Sequence, residues 1–517
     1  MLQILNKSKN IKLLFVVVAA LQICLLAYYM SNKGALFLDE TYTYSMANSS
    51  YGTLFPCFDL KYKLSTFNYN YKWLNGQFFR DYIAVSKYNR FDYSKIYEMH
   101  EFDSHPPLYC FLLHTLCSFF PESISKWYGF SLNILAFILV QLLLFNISKR
   151  IFLSEKYALF ICLLYGFSAC SVDCFVYIRM YSFLVMFSLL LLFFFIRCLK
   201  DDFSFLNLSG IVLTVYLGGL NHYHFFVYAF FLTLVFDIIC IIEKKYKLFL
   251  YISFFTILGV LLAFISFPAI AFQLENTPRA TEALDLGKDF YSSLNSISYF
   301  FQELFCCNSR LSNYLSILSL GLISILFVVL FAKKYIDSKN LSVFYITVIP
   351  TVLFFIFISF SVNFNYFKVN GQRFFWAVYP LIIIMVVRVL YKKKYLMGIF
   401  AILCIVSGFT MVDFNYSDKG KYNLELEEVF KENNIVLYYN FVEILQVLSI
   451  KLSECNKVLP VPASDKVWIP KDYPKNGKTY FVFFNYNANL DSSFKRVKSG
   501  IYYGLNYTVY ELAKLVE

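Results

Sequence analysis

Long apolar runs separated by short clusters of Lys and Arg set the predicted elements of this chain. The first run, residues 11–30, follows a basic start and is long enough for a helix that crosses the roughly 30 Å of bilayer hydrocarbon. No small-residue cleavage site follows it, so we expect an uncleaved helix with a cytoplasmic N-terminus. Further runs predict membrane-spanning helices, about eleven in all, near residues 125–147, 157–172, 175–197, 205–221, 223–242, 248–271, 312–332, 341–362, 374–391 and 396–413.

Residues 105–120 form another apolar run, but the charge distribution argues against counting it as a span. The run is short and opens with His-Pro-Pro. If it crossed the membrane, the basic cluster around Lys149 and Arg150 would face outward, against the positive-inside rule. We therefore expect an interfacial or re-entrant helix on the outer face, within a first outer loop that covers residues 31–124.

The C-terminal segment has a different pattern. Its charges are balanced, and strand-like runs at 435–439, 480–484 and 507–512 alternate with helical stretches. This alternation predicts a small α/β domain on the extracytoplasmic side. The predicted fold class is an all-α polytopic membrane domain over residues 1–413, with interfacial helices in the first outer loop, followed by an α/β domain over residues 414–517.

Composition agrees with a membrane protein and excludes several other classes. The chain is 59% hydrophobic and 15% charged, whereas about 25% charged residues is usual in soluble domains. This excludes a disordered, collagen-like or disulfide-scaffold protein and disfavours a soluble multidomain enzyme. The net charge of +12 lies in the short loop clusters rather than on one continuous face, so we expect no nucleic-acid partner.

Ionisable side chains gather at the predicted outer ends of helices rather than in the middle of the spans, where proton-coupled carriers usually hold them. Asp39 and Glu40 follow the first span directly, and a carboxylate anchored there suits general-base chemistry, although a solvated acid pair is the plainer interpretation. Asp103 and His105 lie at the predicted positive end of the His-Pro-Pro helix as candidate functional groups, although plain N-capping by Asp103 or Ser104 is the structural alternative.

Three further polar clusters lie at predicted outer helix ends. Arg179 either snorkels to lipid head groups or binds a ligand. His222 and His224 are either interfacial side chains or metal ligands. Arg373 suits a bidentate grip on phosphate. Each cluster has an ordinary structural explanation, but all of them face one compartment in the predicted topology.

Five segments in this order resemble the membrane glycosyltransferases of the dolichyl-phosphate-mannose protein mannosyltransferase type, whose bacterial relatives include the aminoarabinose-to-lipid-A transferase. The segments are Asp39-Glu40, DSHPPLYCFLLH at 103–114, YIRMYSFLVMFSLLLL at 177–192, NHYHFFVY at 221–228 and GQRFFWAVYPL at 371–381. The resemblance covers roughly residues 13–388. It implies the C-type glycosyltransferase fold and a polyprenyl-phosphate sugar as donor on the extracytoplasmic face.

The resemblance also implies roles for individual residues. Asp39 matches the general base, and Glu40 matches a second acid that orients the acceptor. The residues implied to bind the donor phosphate or substrate are His105, Arg373, Arg179, Tyr181, Asp103 and His222. One feature departs from the family: relatives commonly carry an acid just before the Arg of the RMY segment, whereas the nearest acid here is Asp173.

These observations predict an inverting, polyprenyl-phosphate-dependent glycosyltransferase in the plasma (inner) membrane, embedded among membrane lipids. We expect the acceptor hydroxyl to belong to a glycan, lipid or protein. We assign no metal ligand or cofactor, and a divalent metal stays open because some relatives of this fold need one. The alternatives are a transporter or flippase of polyprenyl-linked glycans and a surface receptor that binds through residues 414–517.

Overall fold

The computed structural model of the 517-residue chain is described for residues 8–34, 36–52, 70–200, 204–276, 341–361, 371–412, 424–441, 443–463, 467–485, 490, 492–502 and 505–512. Two compact units make up the chain. Unit 1 contains residues 1–30, 104–109 and 130–417. Unit 2 contains residues 31–103, 110–129 and 418–517.

The described helices lie between Ser8 and Leu452. They are α1 (Ser8–Asn32), α2 (Leu38–Asn48), α3 (Gly76–Ile83), α4 (Tyr93–Glu101), α5 (Leu108–Phe119), α6 (Lys126–Phe152), α7 (Glu155–Gly166), α8 (Ala169–Val176), α9 (Tyr181–Lys200), α10 (Phe205–Asn221), α11 (His224–Ile242), α12 (Tyr246–Ser266), α13 (Ala269–Asn276), α14 (Leu341–Ser361), α15 (Tyr379–Leu390), α16 (Lys394–Thr410), α17 (Leu424–Phe430) and α18 (Glu443–Leu452). A 3₁₀ helix covers Gly371–Phe375.

Among the described residues, six helices are long and apolar enough to cross a membrane: α1, α6, α9, α11, α12 and α14. The pair α7 and α8 meets the same criterion together but is bent by 62° at the break between the two helices. Shorter apolar helices cover Leu108–Phe119, Phe205–Asn221, Tyr379–Leu390 and Lys394–Thr410. The chain is therefore a multi-pass membrane protein, as predicted.

The number and bounds of the spans differ in places from the prediction. The predicted count of eleven is not confirmed, and the predicted span 312–332 lies outside the described residues. The predicted spans 157–172 and 175–197 meet at a different place, because α8 ends at Val176 and α9 begins only at Tyr181. The charged residue Asp173 lies between the two predicted spans, but in the structure it is buried inside α8.

Unit 2 contains a six-stranded sheet with the strand order β1-β3-β2-β4-β6-β5. The strands are β1 (Leu74–Asn75), β2 (Asn434–Tyr439), β3 (Lys457–Pro462), β4 (Thr479–Phe484), β5 (Phe494–Tyr502) and β6 (Leu505–Leu512). Strands β3, β2 and β4 are parallel, with Ile435 facing Val458 on one side and Tyr480 on the other. The outer strands are antiparallel.

The central strands of this sheet are buried on both faces, as parallel strands usually are. On one face, side chains of β2 pack with apolar residues of α3, α17 and α18. On the other face, Tyr438 and Phe483 stack with ring centroids 4.2 Å apart, and loop side chains such as Trp73 and Val467 cover them. The predicted strand runs at 435–439, 480–484 and 507–512 are all strands.

Candidate functional site

Helix α2 carries the predicted acid pair in its first turn. Asp39 is partly exposed, and Thr43 donates to its backbone carbonyl oxygen at 2.8 Å. Carboxylates are stabilised near the positive end of a helix, so both acids suit this position. Most of the α2 residues after Asp39 are buried, although many of them are polar.

Glu40 is held differently from its neighbour. Its side chain is fully buried, and its Oε1 lies 2.6 Å from Nζ of Lys33, whose side chain is also fully buried. Its Oε2 accepts a hydrogen bond from the Phe37 backbone N–H at 2.7 Å, as a glutamate at the third helical position does in a capping box. Both carboxylate oxygens of Glu40 are therefore engaged in holding the start of α2.

Lys126 also stabilises the segment before α2. Its ammonium donates to the backbone carbonyl oxygens of Ser31 and Lys33. These carbonyls lie at the end of α1 and just beyond it, where backbone acceptors have no partner within the helix. Lys33 and Lys126 thus hold the segment that leads from α1 into α2.

Asp103 lies in the same unit as the acid pair. It is buried, and its Oδ1 accepts a hydrogen bond from the Tyr42 hydroxyl at 3.0 Å. The adjacent helix α5 begins at Leu108, too far along the chain for Asp103 or Ser104 to be its N-cap. The N-capping interpretation is therefore wrong, and Asp103 instead fixes the second turn of α2 through Tyr42.

In unit 1, Arg373 and several rings form what we call the arginine–histidine cluster: His105, Tyr181, His222, His224 and Arg373. The guanidinium of Arg373 is buried over the rings of Tyr181 and Phe374, at 5.8 and 5.3 Å from their centroids. Its Nη1 donates to the hydroxyl of Tyr177 at 3.1 Å. A phenol and aromatic faces can fix the orientation of a guanidinium.

The histidines of this cluster are packed against one another. The ring centroid of His222 lies 4.7 Å from that of His224, 5.4 Å from that of Tyr181 and 6.3 Å from that of His105. Nδ1 of His222 accepts from the His224 backbone N–H at 3.1 Å, so a neutral His222 carries its proton on Nε2. The cluster therefore combines a fixed cation with a histidine whose Nε2 is a donor.

Asn133, in the first third of α6, holds the non-helical link between α8 and α9. Its Nδ2 donates to the carbonyl oxygens of Phe175 and Tyr177, at 3.0 and 2.8 Å. Its Oδ1 accepts from the hydroxyls of Tyr109 and Ser182, at 3.1 and 2.7 Å. The amide is fully buried and makes four hydrogen bonds, which is its full usual capacity.

Asn221 fixes the other end of this link. Its Nδ2 donates to the carbonyl oxygen of Met180 at 3.0 Å. Arg179 lies within the link and is buried, and its backbone N–H donates to the carbonyl oxygen of Tyr177 at 2.9 Å. The two asparagines thus hold the link that places Tyr177 against Arg373.

The structure brings four of the predicted donor-binding residues into one cluster in unit 1: His105, Tyr181, His222 and Arg373. Arg179 belongs to the same unit. Asp39, Glu40 and Asp103 belong to unit 2, where Tyr42 connects Asp103 to α2. Sequence reasoning missed Asn133, Tyr177 and Lys33. An asparagine in an apolar helix was the available signal for Asn133, since polar residues there need partners.

No group of three or more His, Cys, Asp or Glu side chains is placed to hold a metal ion among the residues that the structure describes. In particular, His222 and His224 have no such third ligand within the described part of the chain. At the acid pair, a metal bound by Glu40 would have to displace Lys33 or the Phe37 N–H.

Comparison with solved structures identifies the fold. The ArnT protein of Cupriavidus metallidurans, solved with bound undecaprenyl phosphate, matches this chain with a TM-score of 0.52 and 10% sequence identity. The match covers 97% of this chain and 98% of ArnT. The chain has the ArnT fold. This confirms the predicted class, a C-type glycosyltransferase fold of membrane helices followed by a small sheet domain.

The oligosaccharyltransferase of Archaeoglobus fulgidus, solved with Zn and sulfate, is also similar, with a TM-score of 0.42 and 10% identity over 91% of this chain and 68% of that one. No protein-family model matches the chain, and no curated protein does. The likeness to ArnT therefore rests on shared architecture over the whole length of both chains.

Proposed function

We propose that this protein is an integral-membrane glycosyltransferase that moves a sugar from a polyprenyl-phosphate donor to an acceptor hydroxyl on the extracytoplasmic face. The observation that carries the proposal is the arginine–histidine cluster in a chain with the ArnT fold. The solved ArnT structure holds undecaprenyl phosphate, a polyprenyl phosphate of the kind that the proposed donor would release.

The proposed reaction is a single displacement with inversion. The carboxylate of Asp39 accepts the proton of the acceptor hydroxyl, and the acceptor oxygen forms a bond to the anomeric carbon. The bond between that carbon and the phosphate oxygen breaks, and polyprenyl phosphate leaves with the electron pair. Asp39 then releases its proton to water. A phosphate is a good leaving group, so the reaction needs a base and cationic stabilisation more than a general acid.

Arg373 supplies the cationic stabilisation in this proposal. A guanidinium presents paired N–H donors that match two phosphate oxygens. The Nε2–H of His222 is a second donor for the same phosphate, and His105 and Tyr181 shape the surrounding wall. Arg179 is a further phosphate-binding candidate.

Glu40 has a different role in this proposal. The resemblance implied that it orients the acceptor, but its carboxylate is buried against Lys33 and the Phe37 N–H. We assign it to holding the first turn of α2, so that the neighbouring Asp39 keeps a fixed position. Asp103, bound to Tyr42, supports the next turn in the same way.

The proposal is tested with the purified full-length protein and a panel of polyprenyl-phosphate sugars, with products read by mass spectrometry. We expect release of polyprenyl phosphate together with a glycosylated acceptor. Asp39→Asn should lower turnover at least a thousandfold while donor binding stays within about twofold, as expected for a general base. Asp92→Asn, at an acid of the same unit that caps α4, is the control and should keep full turnover.

Two outcomes contradict the proposal. Full turnover by the Asp39→Asn variant removes the proposed base. The second is movement of intact polyprenyl-linked glycan across a vesicle membrane with no release of polyprenyl phosphate. That result would support the transporter alternative instead of a transferase.

A further inference from the structure

Part of the first outer loop belongs to the C-terminal sheet. Strand β1 pairs antiparallel with β3, with Leu74 opposite Val458 and Asn75 opposite Lys457. Just before β1, the Tyr71 N–H donates to the carbonyl oxygen of Pro460 at 2.9 Å. The C-terminal domain is therefore completed by residues that lie nearly 400 positions earlier in the chain.

Side chains on both faces of the sheet strengthen this connection. On one face, the hydroxyl of Tyr439 donates to Oδ1 of Asn70 at 2.6 Å. On the other face, Nε1 of Trp73, in the residue just before β1, donates to the carbonyl oxygen of Asp472 at 3.2 Å. The first-loop segment is thus held through its backbone and through two side-chain contacts.

Gly76, the first residue of α3, lies against backbone atoms at the end of α18 and just beyond it. A Cβ at position 76 would lie 2.8 Å from the carbonyl oxygen of Ser453 and 3.2 Å from that of Leu452, and closer still to that of Cys455. These are backbone atoms, so they cannot swing aside as a flexible side chain would. Only glycine lets α3 begin against the end of α18.

Helices α3 and α18 both pack on α2, the helix that carries Asp39. Asn48, at the end of α2, donates to the carbonyl oxygen of Ile83 at the end of α3, at 3.0 Å. At the other end of α2, the buried amide nitrogen of Gln446 lies 3.5 Å from the carbonyl oxygen of Leu38, the residue before Asp39. Both ends of α2 are therefore in contact with elements that the C-terminal sheet holds.

We infer that the C-terminal domain positions Asp39: it holds α3 through β1 and Gly76, and together α3 and α18 fix the axis of α2. This inference rests on the proposed function of Asp39 as the base. It gives the C-terminal domain a role in the chemistry without placing any of its side chains on the substrate. Misplacement of a catalytic group by about 1 Å is enough to cost roughly a hundredfold in rate.

The inference predicts a specific kinetic signature. The arginine–histidine cluster belongs to unit 1, whereas β1, α2, α3 and α18 all belong to unit 2. Loosening the contact at Gly76 should therefore lower kcat and leave donor affinity unchanged. A domain that instead bound the acceptor would change the acceptor KM.

The test compares Gly76→Ala with Gly398→Ala in the full-length protein. Gly398 is the matched control, because among the described residues no atom beyond its chain neighbours and its own helix backbone lies within 4 Å of a Cβ added there. We expect Gly76→Ala to lower kcat at least tenfold, to leave the Kd for undecaprenyl phosphate within twofold, and to speed hydrogen exchange of the α2 amides. Gly398→Ala should change none of these. An unchanged kcat, or a rise in acceptor KM alone, would overturn the inference.

A second variant, Gln446→Leu, covers the case in which Gly76→Ala does not fold. It keeps the packing volume beside α2 but removes the amide near the Leu38 carbonyl oxygen. Like Gly76→Ala, it should lower kcat and speed hydrogen exchange of the α2 amides, but both effects should be smaller than those of Gly76→Ala. Unchanged α2 exchange in this variant overturns the inference. Because hydrogen exchange needs no substrate, it also separates failure of this inference from failure of the proposed function, which would appear as an inactive wild-type protein.

Discussion

The start of α2 and the arginine–histidine cluster hold buried charges in two different ways. At the start of α2, Glu40 meets the opposite charge of Lys33 at 2.6 Å. In the cluster, Arg373 is oriented by the Tyr177 hydroxyl and by aromatic rings. The first arrangement pairs two opposite charges inside the protein, and the second places a charged group against a phenol and aromatic faces. This difference separates the side chains that we consider structural from those that we propose to bind the donor.

Among the substitutions considered, Lys33→Met should lower the free energy of unfolding the most. Lys33→Met leaves the buried carboxylate of Glu40 without its ammonium group, and breaking a buried pair in this way costs about 3–5 kcal/mol. The free energy of unfolding, measured in mixed micelles, should fall by that amount. The double variant Lys33→Met/Glu40→Gln should recover most of it, because the charge is removed from both sides.

The control for this pair is Lys87→Met. Lys87 and Glu122 form an exposed ion pair with a nitrogen–oxygen distance of 3.4 Å, and exposed pairs contribute about 0–1 kcal/mol. Equal losses for Lys33→Met and Lys87→Met would show that the buried pair is not structural.

Asn133→Asp should have the next largest effect, because it removes the amide donor while keeping the size of the side chain. The carbonyl oxygens of Phe175 and Tyr177 would each lose a buried hydrogen bond, at about 1–3 kcal/mol apiece. We expect lower stability and about fivefold weaker binding of undecaprenyl phosphate, since the link that places Tyr177 against Arg373 loosens. Calorimetry and a binding assay measure the two effects.

Asn146→Asp is the matched control, because Asn146 lies on the same helix with an exposed amide bonded to the Leu142 carbonyl oxygen. It should leave both quantities almost unchanged. If Asn133→Asp lowered stability without weakening donor binding, the link between α8 and α9 would not support the donor site.

Arg373→Ala tests the cluster directly. Hydrogen bonds to charged groups contribute about 1.5–3 kcal/mol, so donor affinity should fall roughly tenfold to a hundredfold. Arg388→Ala is the control, since Arg388 also lies over two rings, Phe152 and Tyr391, at 5.8 and 5.4 Å from their centroids. Equal Kd values for wild type and Arg373→Ala, measured by titration with undecaprenyl phosphate, would rule out a phosphate role.

Tyr177→Phe should have the smallest effect of the series. It removes one hydrogen bond that orients Arg373 and leaves the ring in place, so donor affinity should fall about fivefold, which corresponds to about 1 kcal/mol. Tyr228→Phe removes another buried hydroxyl in unit 1 and is the control. A larger effect for Tyr228→Phe than for Tyr177→Phe would contradict the orienting role.

The candidate site was predictable in part. Asp39, His105 and Arg373 stood out because polar residues are rare beside apolar runs, and their order along the chain produced the family resemblance. Glu40 stood out equally, but the sequence could not tell a capping carboxylate from a catalytic one. That distinction depends on Lys33, which precedes it by seven residues and meets it only because the chain turns between α1 and α2.

The sequence by itself determined the membrane class, most of the apolar helices and three strands of the C-terminal sheet. These features follow from the local period of hydrophobic residues, which each segment carries within itself. Tertiary structure alone decided that a two-residue strand, β1, belongs to a sheet nearly 400 residues away, and that Asn133 connects four other residues. Such contacts are long-range and satisfy buried polar groups one at a time, so they leave no periodic pattern in the chain.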